Sequence, residues 1–306
     1  MNTRARTPVR PSGQQFTLRH GDQEAVVTEV GGGLRSYTVG GRAVLEGYGA
    51  DEMCPAARGQ VLIPWPNRID GGRYRFGGTE HVLPLTEPAA GNALHGLTRW
   101  ANWEPVHHDQ VTLRLRYTLF AQPGWPFVLA CELAYRLDDA GLRVRTSATN
   151  LGAQPCPYAT GAHPYLTVGT PLINQARLRL PARTRYRTDA RGIPTGQEPI
   201  EEFDSLIGDQ RLDTAFTDLV RDDDGLVRAL MSVPGAAVTL WADRAYGWLQ
   251  VFTGDALEPA RRRTGLAVEP MTAAPNAFRT GEGLVTLPPG DRHDAEWGLQ
   301  RRYGLR

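Results

Sequence analysis

Lysine is missing altogether: all 34 basic side chains of this 306-residue chain are arginines. That absence excludes Schiff-base catalysis and the lysine of a phosphate-binding loop. Charge of one sign is missing too. The 34 arginines face 33 acidic residues, so the formal charge is +1 and nothing in the bulk charge selects for nucleic acid or an anionic membrane. Cysteine is scarce: Cys54, Cys131 and Cys156 show no C-x-x-C spacing, an odd number cannot be fully paired within one chain, and reduced thiols are expected. No uninterrupted apolar run approaches the roughly 18–20 residues of a membrane span, and residues 1–15 are basic and polar without the apolar centre of a signal peptide. A cytoplasmic protein without nucleic-acid or membrane partners is expected. None of the seven histidines belongs to an H-E-x-x-H motif or joins cysteine at zinc spacing, so no metal is expected either. Neither G-x-S-x-G nor G-x-G-x-x-G is present, which removes the signatures of serine hydrolases and dinucleotide folds.

What is abundant is turn chemistry, with 34 glycines and 23 prolines scattered along the chain. Between them the apolar residues alternate. Val111, Leu113, Leu115, Tyr117 and Leu119 are separated by Thr112, Arg114, Arg116 and Thr118, a period of two that no helix buries on one face. Residues 129–137 and 142–148 repeat the pattern around the turn Asp138-Asp139-Ala140-Gly141, which predicts a hairpin. Gly40-Gly41 and Gly77-Gly78 are two-residue turn signals of the same kind. Further strands are expected at 25–30, 176–180, 227–233, 237–241, 248–252, 266–268 and 284–287, and brief helices at 201–208 and 212–219. The chain reads as all-β, a polar tail at 1–15 followed by one antiparallel sandwich domain over 16–306, whose outer face or loop ends would carry a site.

Four segments depart from strand alternation by setting polar residues among prolines and small residues: Pro64-Trp65-Pro66-Asn67-Arg68-Ile69, Asn92-Ala93-Leu94-His95-Gly96, Gly161-Ala162-His163-Pro164-Tyr165, and residues 268–276 with Glu269-Pro270. Taken singly, each has a structural explanation: an ion-pair partner in Arg68, a turn residue in His95, a strand-end histidine in His163, a solvated carboxylate in Glu269. Their order along the chain resembles the aldose 1-epimerase family, the galactose mutarotases, as do the late Leu287-Pro288-Pro289-Gly290 turn and the closing 296–299 strand. The chain departs from that pattern in the run His163-Pro164-Tyr165-Leu166 and in the Pro64-Trp65-Pro66 lead, as a divergent subgroup would.

The resemblance implies a β-supersandwich of about thirty strands that interconverts the anomers of a free hexose such as glucose or galactose without a cofactor. It implies Glu269 as the base and His163 as the acid, for which the reference pKa values of about 4.3 and 6.5 suit a carboxylate base beside a proton shuttle. It implies Arg68 and His95 as substrate-positioning groups and Asp213 as a ligand of sugar hydroxyls, with Asp218 a weaker competitor. Trp65 is a candidate sugar-stacking ring or equally a core tryptophan, and Asn67, Tyr165 and Asn276 are candidate supports of the site or plain turn residues. Some relatives act on phosphorylated or sulfonated hexoses, and Arg35, Arg73, Arg99 or the Arg261-Arg262-Arg263 run are candidates for binding such an anion. A sugar-sensing protein on the same fold is the non-catalytic alternative; a lyase or glycosidase module is disfavoured because only one carboxylate stands in a catalytic segment. The partner expected is a small aldose, the assembly a monomer or homodimer.

Overall fold

The computed structural model describes residues 9–303, and within them twenty-seven strands carry almost all of the regular structure. The hairpin expected around Asp138 is present as Leu129–Asp138 paired antiparallel with Gly141–Asn150. Thr112–Leu119 adds to its outer side, and Arg292–Tyr303 to the other. These four are the centre of a nine-stranded sheet. Burial along Leu129–Asp138 and Thr112–Leu119 follows the sequence alternation, with Leu113, Leu115, Leu129, Leu133 and Leu137 inside. Each fully buried side chain of this size contributes roughly 1.5–3 kcal/mol of hydrophobic free energy.

The expected brief helices are strands. Phe203–Leu206 forms the edge of the nine-stranded sheet against Arg177–Leu180, and Asp213–Leu219 lies inside a second, eight-stranded sheet. In both segments pairing with a neighbouring strand outweighs the weak local helical spacing. The single α-helix among the described residues is Ala277–Thr280. Residues 1–8 of the expected tail lie outside the described residues, while Gln15 already pairs with Thr28 in a four-stranded sheet. Among the described residues no helix is long and apolar enough to cross a membrane. Cys54, Cys131 and Cys156 are free and buried.

The eight-stranded sheet decides where the site lies. Leu249, Val251, Leu266, Val268 and Phe216 point from its inner face into the main hydrophobic core. The alternating partners Gln250, Glu269 and Asp213 therefore point the other way, into a cavity. A slip of one residue in Trp248–Phe252 or Leu266–Met271 would carry a carboxyl and an amide into the core and leucine and valine out of it, so core burial locks this register.

Candidate active site

Register brings the polar residues together. Gln250 stands opposite Glu269 in the pairing of Trp248–Phe252 with Leu266–Met271, and its amide donates to Asp213 Oδ1 at 2.6 Å. On the other side of Leu266–Met271 the short strands Gly161–Ala162 and Tyr165–Leu166 pair with Met271 and Ala267 respectively. His163 falls in the break between them, at the step that faces Glu269. Pro164 has no N–H to continue a ladder, and the His163 backbone turns to residues 59–60: its N–H donates to Gln60 O at 3.1 Å and its carbonyl accepts from Gly59 N at 2.9 Å. The imidazole is left with Nε2 3.3 Å from Glu269 Oε1.

Both groups are nearly sealed from solvent, at 5% exposure for His163 and 2% for Glu269. Burial pushes the Glu269 carboxyl well above the usual carboxylate range, and the Asp213 charge adds to the rise. Burial likewise drives the His163 imidazole down to about 3, against a backbone hydrogen bond that raises it and with the guanidiniums of Arg99 and Arg58 lowering it further. Reference values had suggested a carboxylate beside a titrating imidazole. In the folded protein the low-dielectric surroundings favour both uncharged forms, the carboxyl pushed up and the imidazole pushed down. Glu269 Oε2 and His163 Nδ1 are buried with no partner among the described residues.

Arg68 and His95 arrive from a separate two-stranded ribbon, Arg68–Asp70 with Asn92–Leu94. Asn67 and His95 both take positive φ, 55° and 61°, and they hold each other there. The Asn67 N–H donates to His95 Nδ1 at 3.1 Å, and the His95 N–H donates to Asn67 O at 3.0 Å. With Nδ1 accepting, and with burial and the nearby Arg99 and Arg68 charges holding the ring well below 6.5, His95 is a neutral imidazole carrying its proton on Nε2. Gly96 lets this turn close, since a Cβ there would stand 2.1 Å from Ile63 O. The Arg68 guanidinium donates to both oxygens of Glu87 at 2.9 and 3.0 Å and reaches Asp213 Oδ2 at 3.4 Å. Burial opposes its charge, but the two carboxylates outweigh that and hold its pKa above the usual value.

The cavity that these groups line has a volume of about 350 Å³, within the roughly 300–1,000 Å³ of small-molecule sites. Glu269, His163, Arg68, His95 and Asp213 meet in it, with Asn67 and Tyr165 on its walls. Asn67 serves the turn, accepting from the Arg68 N–H at 2.8 Å. The Tyr165 ring stacks on His163 with centroids 5.0 Å apart and planes 11° apart, and its hydroxyl donates to Ala56 O.

Trp65 is a correction. Its ring is 2% exposed, packs edge-on against Phe278 in the core and does not line the cavity, because Asn67 turns the chain two residues later. Asp218 points elsewhere, accepting from the Thr184 hydroxyl. Asn276 is a turn residue whose Oδ1 accepts from the Asp70 N–H. Of the candidate anion-binding arginines, Arg35 is bound to Tyr48 O, Arg73 pairs with Glu80, Arg261 with Glu46 and Glu52, and Arg263 with Asp255. Arg99 alone of those named lines the cavity.

Three contributors carry no motif in the sequence. Glu87 anchors Arg68, Gln250 anchors Asp213, and Arg58 lies 4.1 Å from the centroid of the Tyr165 ring, beneath the stack that carries His163. Gln250 had a signal, a lone polar residue inside an apolar strand; Arg58 and Glu87 had none. His95, His163 and Glu269 bring ligand atoms within 4.8 Å of one another, a set able to take a divalent cation, from the same atoms that proton transfer would use.

The sequence profile of the aldose 1-epimerases matches residues 14–300. The chain belongs to the aldose 1-epimerase family. It is 35% identical to the Escherichia coli (strain K12) protein YihR over 98% of this chain and 96% of that one. The aldose epimerase homologue from C. elegans superposes with a TM-score of 0.84 at 17% identity, over 95% of this chain and 99% of that one. The galactose 1-epimerase from Lactobacillus acidophilus does so with a TM-score of 0.78 at 18% identity, over 94% of each chain. At such identities the two structures establish the galactose mutarotase-like fold, while the profile establishes aldose 1-epimerase membership.

Proposed function

We propose that the cavity interconverts the α and β anomers of a free hexose by acid–base ring opening and reclosure. The observation that carries this reading is the buried Glu269–His163 pair, 3.3 Å apart on the floor of a cavity of sugar size. With the proton of the pair on His163, Glu269 is the base and His163 the acid. The carboxylate then takes the O1 proton as the imidazolium gives its own to the ring oxygen O5, the C1–O5 bond breaks and a C1 carbonyl forms. Rotation about C1–C2 and the reverse transfers close the ring on the other face. The pair holds the same number of protons before and after, so the cycle needs no cofactor and no external acid.

The neutral His95 Nε2–H and the Arg68 guanidinium supply donors for the oxygens that gain charge, and Asp213, aimed by Gln250, is an acceptor for sugar hydroxyls. Following freshly dissolved α-D-glucose and α-D-galactose by polarimetry tests the reading. Faster approach to anomeric equilibrium with protein than without is expected; binding without acceleration would leave a sugar-sensing protein.

A further inference from the structure

Behind the reacting pair a row of three side chains from separate segments ends on His163. The Tyr165 ring stacks on the imidazole, and the Arg58 guanidinium carbon lies 4.1 Å from the centre of the same ring. Arg58 is buried, and among the described residues its only ion-pair partner is Glu46, which accepts from Nε. Both of its Nη groups are without a partner among the described residues. Backbone bonds tie the row together: the Glu46 N–H donates to Tyr165 O at 2.8 Å, and residues 59–60, which follow Arg58, hold both backbone groups of His163. Gly265 leaves the room for it, since a Cβ there would stand 2.7 Å from the Glu46 Cβ and 3.2 Å from that of Tyr165.

A buried ion pair whose guanidinium keeps unmatched N–H groups adds little to stability, because desolvation offsets the attraction. What it does supply is a charge beside the acid histidine. Around the imidazole stand Glu269, the His95 ring with centroids 5.2 Å apart, Tyr165, and the guanidiniums of Arg99 and Arg58, both of which oppose an imidazolium. Arg58 is offset by Glu46, but incompletely: that carboxylate is partly exposed and is shared with Arg261 at 3.5 Å. Resting on the mutarotase reading, we propose that Tyr165, Arg58 and Glu46 are positioning residues for His163: the Tyr165 ring fixes the plane of the imidazole, and the Arg58–Glu46 pair sets the field in which the imidazole takes up and releases its proton. The ring oxygen of a sugar is a weak base, so a proton donor beside a cation suits the ring-opening step.

The test reads the His163 ring directly and through turnover. NMR titration of the full-length protein, isotope-labelled in histidine and assigned for His163 by the signal lost in His163→Asn, gives the protonation midpoint of that ring; the acid limb of kcat/KM on α-D-glucose gives it in the reaction. Arg58→Met removes the nearer cation and should raise the midpoint, whereas Glu46→Gln removes the anion that offsets it and should lower the midpoint, each by about half a pH unit or more. The double variant should fall between the two. Each single variant breaks the same ion pair, so a merely structural role would shift both in one direction; a common direction, or no shift in either, would overturn the proposal. Should Arg58→Met fail to fold, Glu46→Gln decides alone, and a midpoint unchanged or raised would overturn it. At neutral pH, Tyr165→Leu should lower kcat at least tenfold with KM changed less than about threefold, and Tyr165→Phe, which keeps a ring, should recover most of that loss. A Tyr165→Leu variant as active as wild type, or a loss that phenylalanine does not repair, would overturn the role of the ring. An active wild type whose variants miss these shifts brings down this proposal alone. No acceleration of any sugar would bring down the mutarotase reading, and the histidine titration, which needs no turnover, would still decide whether Arg58 and Glu46 act on His163 with opposite sign.

Discussion

Two sets of charges share one cavity and are handled in opposite ways. Around Arg68 every charge is matched, with Glu87 on both guanidinium edges and Asp213 beyond, steadied by Gln250. At Glu269 and His163 matching stops at the pair itself, 3.3 Å apart: Glu269 Oε2 and His163 Nδ1 are buried without partners among the described residues, and burial disfavours both charged forms. On the mutarotase reading, the matched wall binds and the other reacts. A compensated network keeps its charges; in a starved pair, with few partners beyond each other, burial disfavours both charged forms.

Removing the starved pair should have the largest effect. Glu269→Gln and His163→Asn should each lower kcat about 10²–10⁴-fold with a smaller change in KM, and the double variant should fall little further, since the two groups act as one unit. Steady-state polarimetry on the three variants measures this; an effect confined to KM would reassign either residue to binding.

Breaking the matched network should act on binding instead. Arg68→Ala removes the counter-ion of Glu87 and Asp213, so KM should rise tenfold or more. Solvent screening at the half-exposed Asp213 limits the accompanying stability loss to about 1–2 kcal/mol, read by urea denaturation.

The contrast also predicts an unusual pH profile. The productive state carries one proton on the pair. Lowering the pH through about 3 protonates His163 while Glu269 is still protonated, and no base remains. Raising the pH removes the Glu269 proton only well above the ordinary carboxylate range. The acid limb of kcat/KM should therefore lie near 3 and not near 6.5. Arg58→Met, which takes away a charge opposing imidazolium, should move that limb upward; an unmoved limb would reduce Arg58 to a packing role.

The smallest effect belongs to the neighbouring acid. Asp218→Asn should change stability by about 0.5 kcal/mol or less and leave turnover within about twofold, because its carboxylate serves Thr184 outside the cavity. Equal losses in Asp213→Asn and Asp218→Asn would erase the distinction drawn between them.

The strands were legible wherever one face is core and the other solvent, as in Thr112–Leu119, where burial copies the alternation of sequence. Leu266–Met271, buried along its whole length, shows no such contrast in accessibility, and only Leu266–Val268 of it was expected. The segments at Phe203–Leu206 and Asp213–Leu219 were misjudged because their partners lie far away in sequence. Glu269, His163, Arg68 and His95 were singled out by the order of their motifs and Asp213 by the resemblance, and the fold brings all five to one cavity. For Trp65 the sequence left sugar stacking and a core position open, because adjacency to Asn67 and Arg68 says nothing about which side of a left-handed turn a ring falls on, and the fold takes the core position.

The sequence by itself determined the β class, through period-two alternation and glycine turns, and the identities of the polar groups held back from that pattern. Tertiary structure decided what those groups can do. Only the pairing of Leu266–Met271 with two broken strands sets His163 against Glu269, and only their burial pushes the carboxyl above and the imidazole below the values of free side chains. Neither is written locally, because strand register and desolvation both depend on residues distant in the chain and adjacent only in the fold.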